Sequence, residues 1–243
     1  MTDPIPPAGG RHRGGPQLIP RPAGWQPGGP PPWGHLDAQQ RSVRLEEVAS
    51  TFASLAPPVH SARERLAGVT RASAVLAPLF EQEGEPWVVL TRRTRHLRSH
   101  AGEMSFPGGG QEPEEDLHTT ALREAQEEVA LDPGLVSIVG ELDHLSTMTS
   151  GSVIVPYVGL LSRAPTDLRA NPDEVDAIRF VSLAELLDPE VYREEVWPLF
   201  GAARPIYFFE LDGDTVWGAT GAMLRQLLGF LTGTVARGDI GHA

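Results

Sequence analysis

Residues 109–131 read GGQEPEEDLHTTALREAQEEVAL. Within this stretch, the run from Leu117 to Val129 lacks Pro and Gly and predicts a helix. Asp116 is suited to cap it, because a short carboxylate accepts from the N–H groups left free in the first turn. Glu114 and Glu115 lie near the positive end of the same helix. At the helical period, Glu124, Glu127 and Glu128 share one arc of about 100°. Leu122, Ala125 and Val129 take a different arc and face inward. The segment is therefore a helix with a carboxylate cluster on one face and a core contact on another.

Three carboxylates at helical spacing, about 6 Å apart, repel by roughly 3 kcal/mol per pair at an effective dielectric near 20. In full solvent the repulsion falls to a few tenths per pair. Such a cluster is either a wet acidic face or a site for a hard cation such as Mg²⁺ or Mn²⁺. Just upstream, Phe106-Pro107-Gly108-Gly109-Gly110 supplies a turn in which bare backbone can approach a ligand.

Gly109, Glu115, Arg123, Glu124, Glu127 and Glu128 follow the spacing G-x5-E-x7-R-E-U-x-E-E-x-G-U, with U a small or aliphatic apolar residue. At average residue usage six fixed positions coincide about once in 10^7 starts. On these residues the chain resembles a Nudix hydrolase. The resemblance implies an α/β fold, an α/β/α sandwich around a mixed β-sheet, and hydrolysis of a diphosphate linked to a second moiety. It implies that Glu124, Glu127 and Glu128 hold Mg²⁺ or Mn²⁺ and share ligand and base roles, helped by the Gly108 carbonyl. Glu115 and Arg123 match the ion pair that orients the glycine loop. The pattern expects glycine where this chain has Ala130, and Asp132-Pro133-Gly134 is expected to end the helix instead.

The preceding stretch, VLTRRTRHLRSHAGEMSFPGG over residues 89–109, narrows the resemblance to the coenzyme A pyrophosphatase branch. Its pattern L-L-T-x-R-S-x3-R-x3-G-x3-F-P-G-G is met at Leu90, Thr91, Arg93, Arg98, Gly102, Phe106, Pro107, Gly108 and Gly109. Val89 and Thr94 are conservative departures. The branch implies a coenzyme A-type substrate, bound around Arg93, Arg98, Gly102, Phe106 and Gly109, and products 3′,5′-ADP and 4′-phosphopantetheine. Local charge agrees, since an acidic chain concentrates Arg92, Arg93, Arg95 and Arg98 here, and arginine forks suit phosphate oxygens. Arg92 and Arg95 also read as solvated loop charges, His96 and His100 as polar surface, and Thr91 as a strand residue. Glu174 is either a distal metal ligand or base, as in some Nudix enzymes, or a charged turn. The same box could serve another diphosphate, such as ADP-ribose or a dinucleotide, or a catalytically silent ligand-binding module.

The chain has 243 residues, 40% hydrophobic, with net charge −12 and no cysteine. That length supports one domain with a full core over residues 35–243, and the absence of cysteine rules out disulfides and thiol chemistry. The acidic balance argues against broad nucleic-acid binding. No apolar run is long enough for a membrane span or a signal core, so a cytoplasmic placement is expected. Homodimerisation is left open. Eighteen of the first 34 residues are Pro or Gly, and this composition predicts a disordered tail.

Leu36–Leu66 reads as helical with a break at Pro57-Pro58. Strands are expected at Ala72–Phe80, Trp87–Arg93, Val136–Asp143, Val153–Leu161 and Ala177–Val181, with a hairpin loop at Glu83–Pro86. Ser182 and Glu185 form a capping box for a short helix. A hairpin follows at Ile206–Leu211 and Thr215–Gly218, then a last helix over about Ala219–Val235 whose apolar stripe reads as core. The hydroxyl-rich loop Ser146–Gly151 is a weak signal for a cleft wall.

Overall fold

The computed structural model describes residues 13–61, 72–97, 99–146 and 153–239. A mixed sheet of eight strands forms its centre. β2 (Ala72–Gln82) and β3 (Glu85–Arg93) form a hairpin, and β2 runs parallel to β8 (Val153–Leu161). β6 (Val136–Glu141) and β7 (Leu145–Ser146) pair antiparallel with β8. β9 (Val175–Ser182) and β4 (Met104–Ser105) add to β3, and β5 (Gly108–Gly110) adds to β2. The β2–β3 turn is Glu83-Gly84, both at positive φ, which is the geometry of a tight two-residue hairpin turn.

Strand alternation assigns each face of this sheet to a separate core. Ala74, Leu76 and Phe80 of β2, with Val155 and Tyr157 of β8, meet Ala121, Ala125 and Val129 of helix α2 (Leu117–Val129). Ala77 and Leu79, with Val158, face the other way. There they meet Val48 and Phe52 of α1 (Leu45–Ser54) and Leu224, Leu227 and Leu228 of α4 (Gly218–Leu231). The result is the expected α/β/α sandwich. A capped turn, α3 (Leu183–Leu186), follows β9, with Ser182 Oγ accepting from the Glu185 N–H at 3.0 Å.

A second sheet of four strands stands beside it, in the order β1 (Gln26–Pro27), β10 (Tyr192–Leu199), β11 (Ala202–Glu210), β12 (Thr215–Trp217). The expectation of a disordered tail over residues 1–34 is corrected for its described part, residues 13–34. Trp33 is fully buried, edge-on to Tyr192 at 5.5 Å and stacked near Phe209. Arg13 pairs with Asp188, and Arg21 pairs with buried Glu195, which also accepts from Trp197. The segment lacks an apolar run of its own, and is ordered by one aromatic plug and by ion pairs to a body that is already folded.

Only Leu45–Ser54 of the expected Leu36–Leu66 segment is helical among the described residues. Residues 62–71 lie outside them. No described helix is long and apolar enough to cross a membrane.

Candidate active site

Helix α2 starts as its sequence dictates, with Asp116 Oδ1 accepting from the Thr119 N–H at 2.7 Å. It ends differently from expectation. Ala130 itself is the left-handed C-cap, at φ 56° and ψ 30°, and its N–H returns to the carbonyls of Ala125 and Gln126. Asp132 caps a separate 3₁₀ turn, Pro133–Leu135, that leads into β6. Closing the helix at that point takes a left-handed residue, and Leu131, buried in the core beneath α2, holds Ala130 there despite its Cβ.

Phe106–Gly110 is more regular than a turn. Gly108, Gly109 and Gly110 lie as a short strand against Val75, Ala74 and Ser73. A Cβ at Gly108 would sit 2.4 Å from the Ala74 carbonyl oxygen. One at Gly109 would sit 2.4 Å from the carboxylate carbon of Glu124. Bare backbone is therefore required both to lay this strand on β2 and to let the Glu124 carboxylate reach it.

The carboxylates fall into distinct environments. Glu128 is 1% exposed, with Oε2 3.3 Å from the Gly108 N–H and Oε1 3.5 Å from Arg93 Nη1. Burial pushes its acid up to about 8, against the pull of Arg93 and the Gly108 N–H. Glu124 is also raised, again chiefly by burial, with Arg123 opposing. Glu174 adds negative potential at both, so the structure brings this loop residue towards the same cluster. Glu127 is 57% exposed at the rim, where it accepts from Arg123 at 2.8 Å. Among the described residues no group of three or more His, Asp or Glu side chains gathers closely enough to hold a metal ion unaided.

Arg123 organises the outer edge. It donates to Glu115 at 2.9 Å, to the Gly110 carbonyl at 3.0 Å and to Glu127, and pairs with Glu124 at 3.0 Å. Glu115 accepts in addition from Thr120 at 2.8 Å, and its acid is lowered mainly by Arg123. The expected Glu115–Arg123 pair thus bolts the glycine strand to the helix.

Of the substrate-side candidates, Arg93 reaches Glu128, and its carbonyl accepts from the Gly102 N–H at 3.2 Å. Phe106 is buried and borders a cavity of about 380 Å³ that opens beside Arg93 and Gly108. Arg98 lies outside the described residues, as do residues 147–151 of the hydroxyl-rich loop. Arg92 is no loop charge: it pairs with Asp176 and buried Asp214, and Arg179 joins it on Asp214. Gln17 bridges Asp214 to the Gly102 carbonyl, so the amino-terminal segment braces the Arg93–Gly102 turn. Thr91 is a buried strand residue bonded to Ser105. His96 bonds the Asp173 carbonyl, and His100 bonds Glu103 at 2.8 Å, which raises its pKa. The cavity itself is the feature that sequence reasoning missed. Met223, read from its helical stripe as core, is both core and cavity wall.

The family model of the NUDIX domain matches residues 70–199, which include the glycine strand and helix α2. The chain belongs to the Nudix family. It is 35% identical over 192 residues to the Nudix hydrolase NudL of Escherichia coli O1:K1 / APEC, itself uncharacterised, covering 78% of this chain and 95% of that protein. Among solved structures it is similar to a MutT/nudix family protein from Enterococcus faecalis, at 15% identity and TM-score 0.46, covering 75% of this chain and 72% of that one. It is also similar to the C. elegans Ap4A hydrolase, at 18% identity and TM-score 0.41, covering 49% and 85%. The match with NudL, over 192 residues, is longer than residues 70–199, so the likeness to a Nudix hydrolase includes parts of the chain outside that span.

Proposed function

We propose that this Nudix hydrolase cleaves the diphosphate of coenzyme A or its thioesters in a metal-dependent reaction. The products would be 3′,5′-ADP and 4′-phosphopantetheine, or its acylated form. One observation carries the reading: Arg93, from the coenzyme A-type pattern, stands 3.5 Å from Glu128 and lines a largely apolar cavity. A phosphate-binding cation, the carboxylates and room for an extended non-nucleotide arm thus lie side by side. Gly102, bonded to Arg93, and Phe106, in the cavity wall, belong to the same pattern.

The donor set fits a hard divalent cation. Glu128 is a buried carboxylate whose nearest countercharge does not restore an ordinary acidity, which is the electrostatic signature of a site that accepts positive charge. Mg²⁺ keeps much of its water and takes one or two carboxylates plus substrate phosphate, so a ready-made cage is not needed. Glu124 and Glu128 would hold the ion, with Glu127 at the rim and the Gly108 carbonyl adjoining. When bound, Mg²⁺ or Mn²⁺ would neutralise phosphate charge and lower the pKa of the attacking water.

The chain's own groups do the rest. Arg93 binds the diphosphate oxygens and holds the reacting phosphorus over the glutamates. One of the glutamates takes the proton from the attacking water. A bond forms from that water oxygen to phosphorus, the bridging P–O bond breaks, and the second phosphate leaves with the electron pair. Arg123 fixes the glycine strand through Gly110, and so fixes where the substrate sits relative to Glu124.

Product analysis tests this with coenzyme A, ADP-ribose and a reduced dinucleotide, each with Mg²⁺ or Mn²⁺. The expected result is 3′,5′-ADP from coenzyme A at a much higher kcat/KM than for the others. Preference for another diphosphate would keep the hydrolase and overturn the substrate.

A further inference from the structure

The cavity beside Arg93 lies between the two sheets. Met104 on one side and Ile206, Trp197 and Met223 on the other make its wall chiefly apolar. Arg93, His100, Glu103, Ser105 and Thr220 also line it, and two further residues of that wall stand out. The indole N–H of Trp217 and the hydroxyl of Ser146 are buried and make no hydrogen bond. A buried donor left unpaired is costly, and such groups call for a partner that arrives from elsewhere. Trp197, on the same wall, shows the contrast: its indole donates to Glu195 at 2.7 Å. Trp33 and Trp87 also carry unpartnered indole nitrogens, but neither borders the cavity, so it is the cavity that gives the other two a ligand to meet.

We infer that Trp217 and Ser146 are specificity-determining residues that donate hydrogen bonds to amide carbonyls on the substrate arm extending from the diphosphate. The inference rests on the coenzyme A reading and adds to it which part of the substrate is recognised, and by what. An indole N–H only donates, so the group opposite it must be an acceptor. An arm of methylenes broken by amide carbonyls matches a chiefly apolar wall that carries these two unpartnered donors. Neighbouring structure holds the Trp217 indole in place. Its ring lies parallel to Phe208, with centroids 6.3 Å apart, and it precedes the first residue of α4.

The test uses the full chain with Mg²⁺ and two product inhibitors of coenzyme A hydrolysis, in wild type, Ser146→Ala and Trp217→Phe. Both variants keep the bulk of the side chain, and thermal melts check that they fold. The inhibition constant of 4′-phosphopantetheine is expected to rise about three- to tenfold in each variant. That of 3′,5′-ADP stays within about twofold, and KM for coenzyme A rises while kcat is retained. Unchanged 4′-phosphopantetheine inhibition, or equal weakening of both inhibitors, would overturn the inference. Failure of the underlying reading would look different, because wild type would then not cleave coenzyme A. Calorimetric binding of 4′-phosphopantetheine to the same three proteins would then decide the arm contacts on its own.

Discussion

Replacing Glu128 by Gln should make the metal-free protein more stable at alkaline pH while abolishing its activity. In the folded protein this acid is pushed from 4.5 up to about 8 by burial. The folded state therefore holds the proton more tightly than the unfolded chain does. Its contribution to stability is fully present below pH 4.5 and is lost as pH rises towards 8. At 1.36 kcal/mol per unit, the whole interval caps the loss at about 5 kcal/mol. The substituted glutamine would keep an acceptor for the Gly108 N–H, and Arg93, with 24% of its side chain exposed, retains access to solvent, so little opposes the gain. For a domain of this size the difference corresponds to a Tm shift on the order of 10 °C. Melts in EDTA at pH 5, 6, 7 and 8 read it directly, because the difference between variant and wild type cancels the other titrating groups. The two proteins should match near pH 5 and diverge progressively towards pH 8. Saturating Mg²⁺ should then restore the wild type alone, by mass action. A variant that is less stable at pH 8, or a difference that does not change with pH, would refute the view that Glu128 is an uncompensated buried charge.

Ala130→Gly relieves a left-handed alanine and should stabilise by about 0.5–1 kcal/mol without altering kcat, as read by urea denaturation. Gly109→Ala puts a methyl on the Glu124 carboxylate, which is the movable end of its side chain. Turnover should fall at least about tenfold while Tm changes by only about 2 °C, and unimpaired kinetics would refute the close approach. Arg123→Lys should recover little of the activity lost in Arg123→Ala, because a single ammonium cannot serve Glu115 and the Gly110 carbonyl with fork geometry. Full rescue in a kcat assay would reduce Arg123 to a plain positive charge.

The parts legible in the sequence were those with a local code. The Asp116 cap and the Ser182–Glu185 cap each depend on neighbours within a few residues, and the strand-like runs of β2 and β8 are continuous in the chain, whereas the Glu115–Arg123 pair, eight residues apart, was legible through the family pattern. Strand β10 was not foreseen, because Glu195 occupies an inward position of YREEVWPL. Its burial depends on Arg21, far away in the chain, and on Arg193 and Trp197 at alternate positions of the strand. The ordered segment from residue 13 to 34 was hidden for a related reason: its stability lies in Trp33 reaching Tyr192 and Phe209, which composition does not encode. At the site, helical spacing put Glu124, Glu127 and Glu128 on one arc. It could not reveal that Glu128 would be sealed beneath the glycine strand while Glu127 stayed at the rim. The cavity was beyond sequence reading altogether, since its walls come from residues between 75 and 223 that meet only after both sheets have formed.

The most direct test of the central claim is chromatographic product analysis of coenzyme A incubated with wild type and Glu128→Gln, with and without Mg²⁺. Wild type should give stoichiometric 3′,5′-ADP and 4′-phosphopantetheine with Mg²⁺ only, and the folded variant should lose at least about a hundredfold in rate. Equal product from the variant, or from wild type stripped of metal, would contradict the claim.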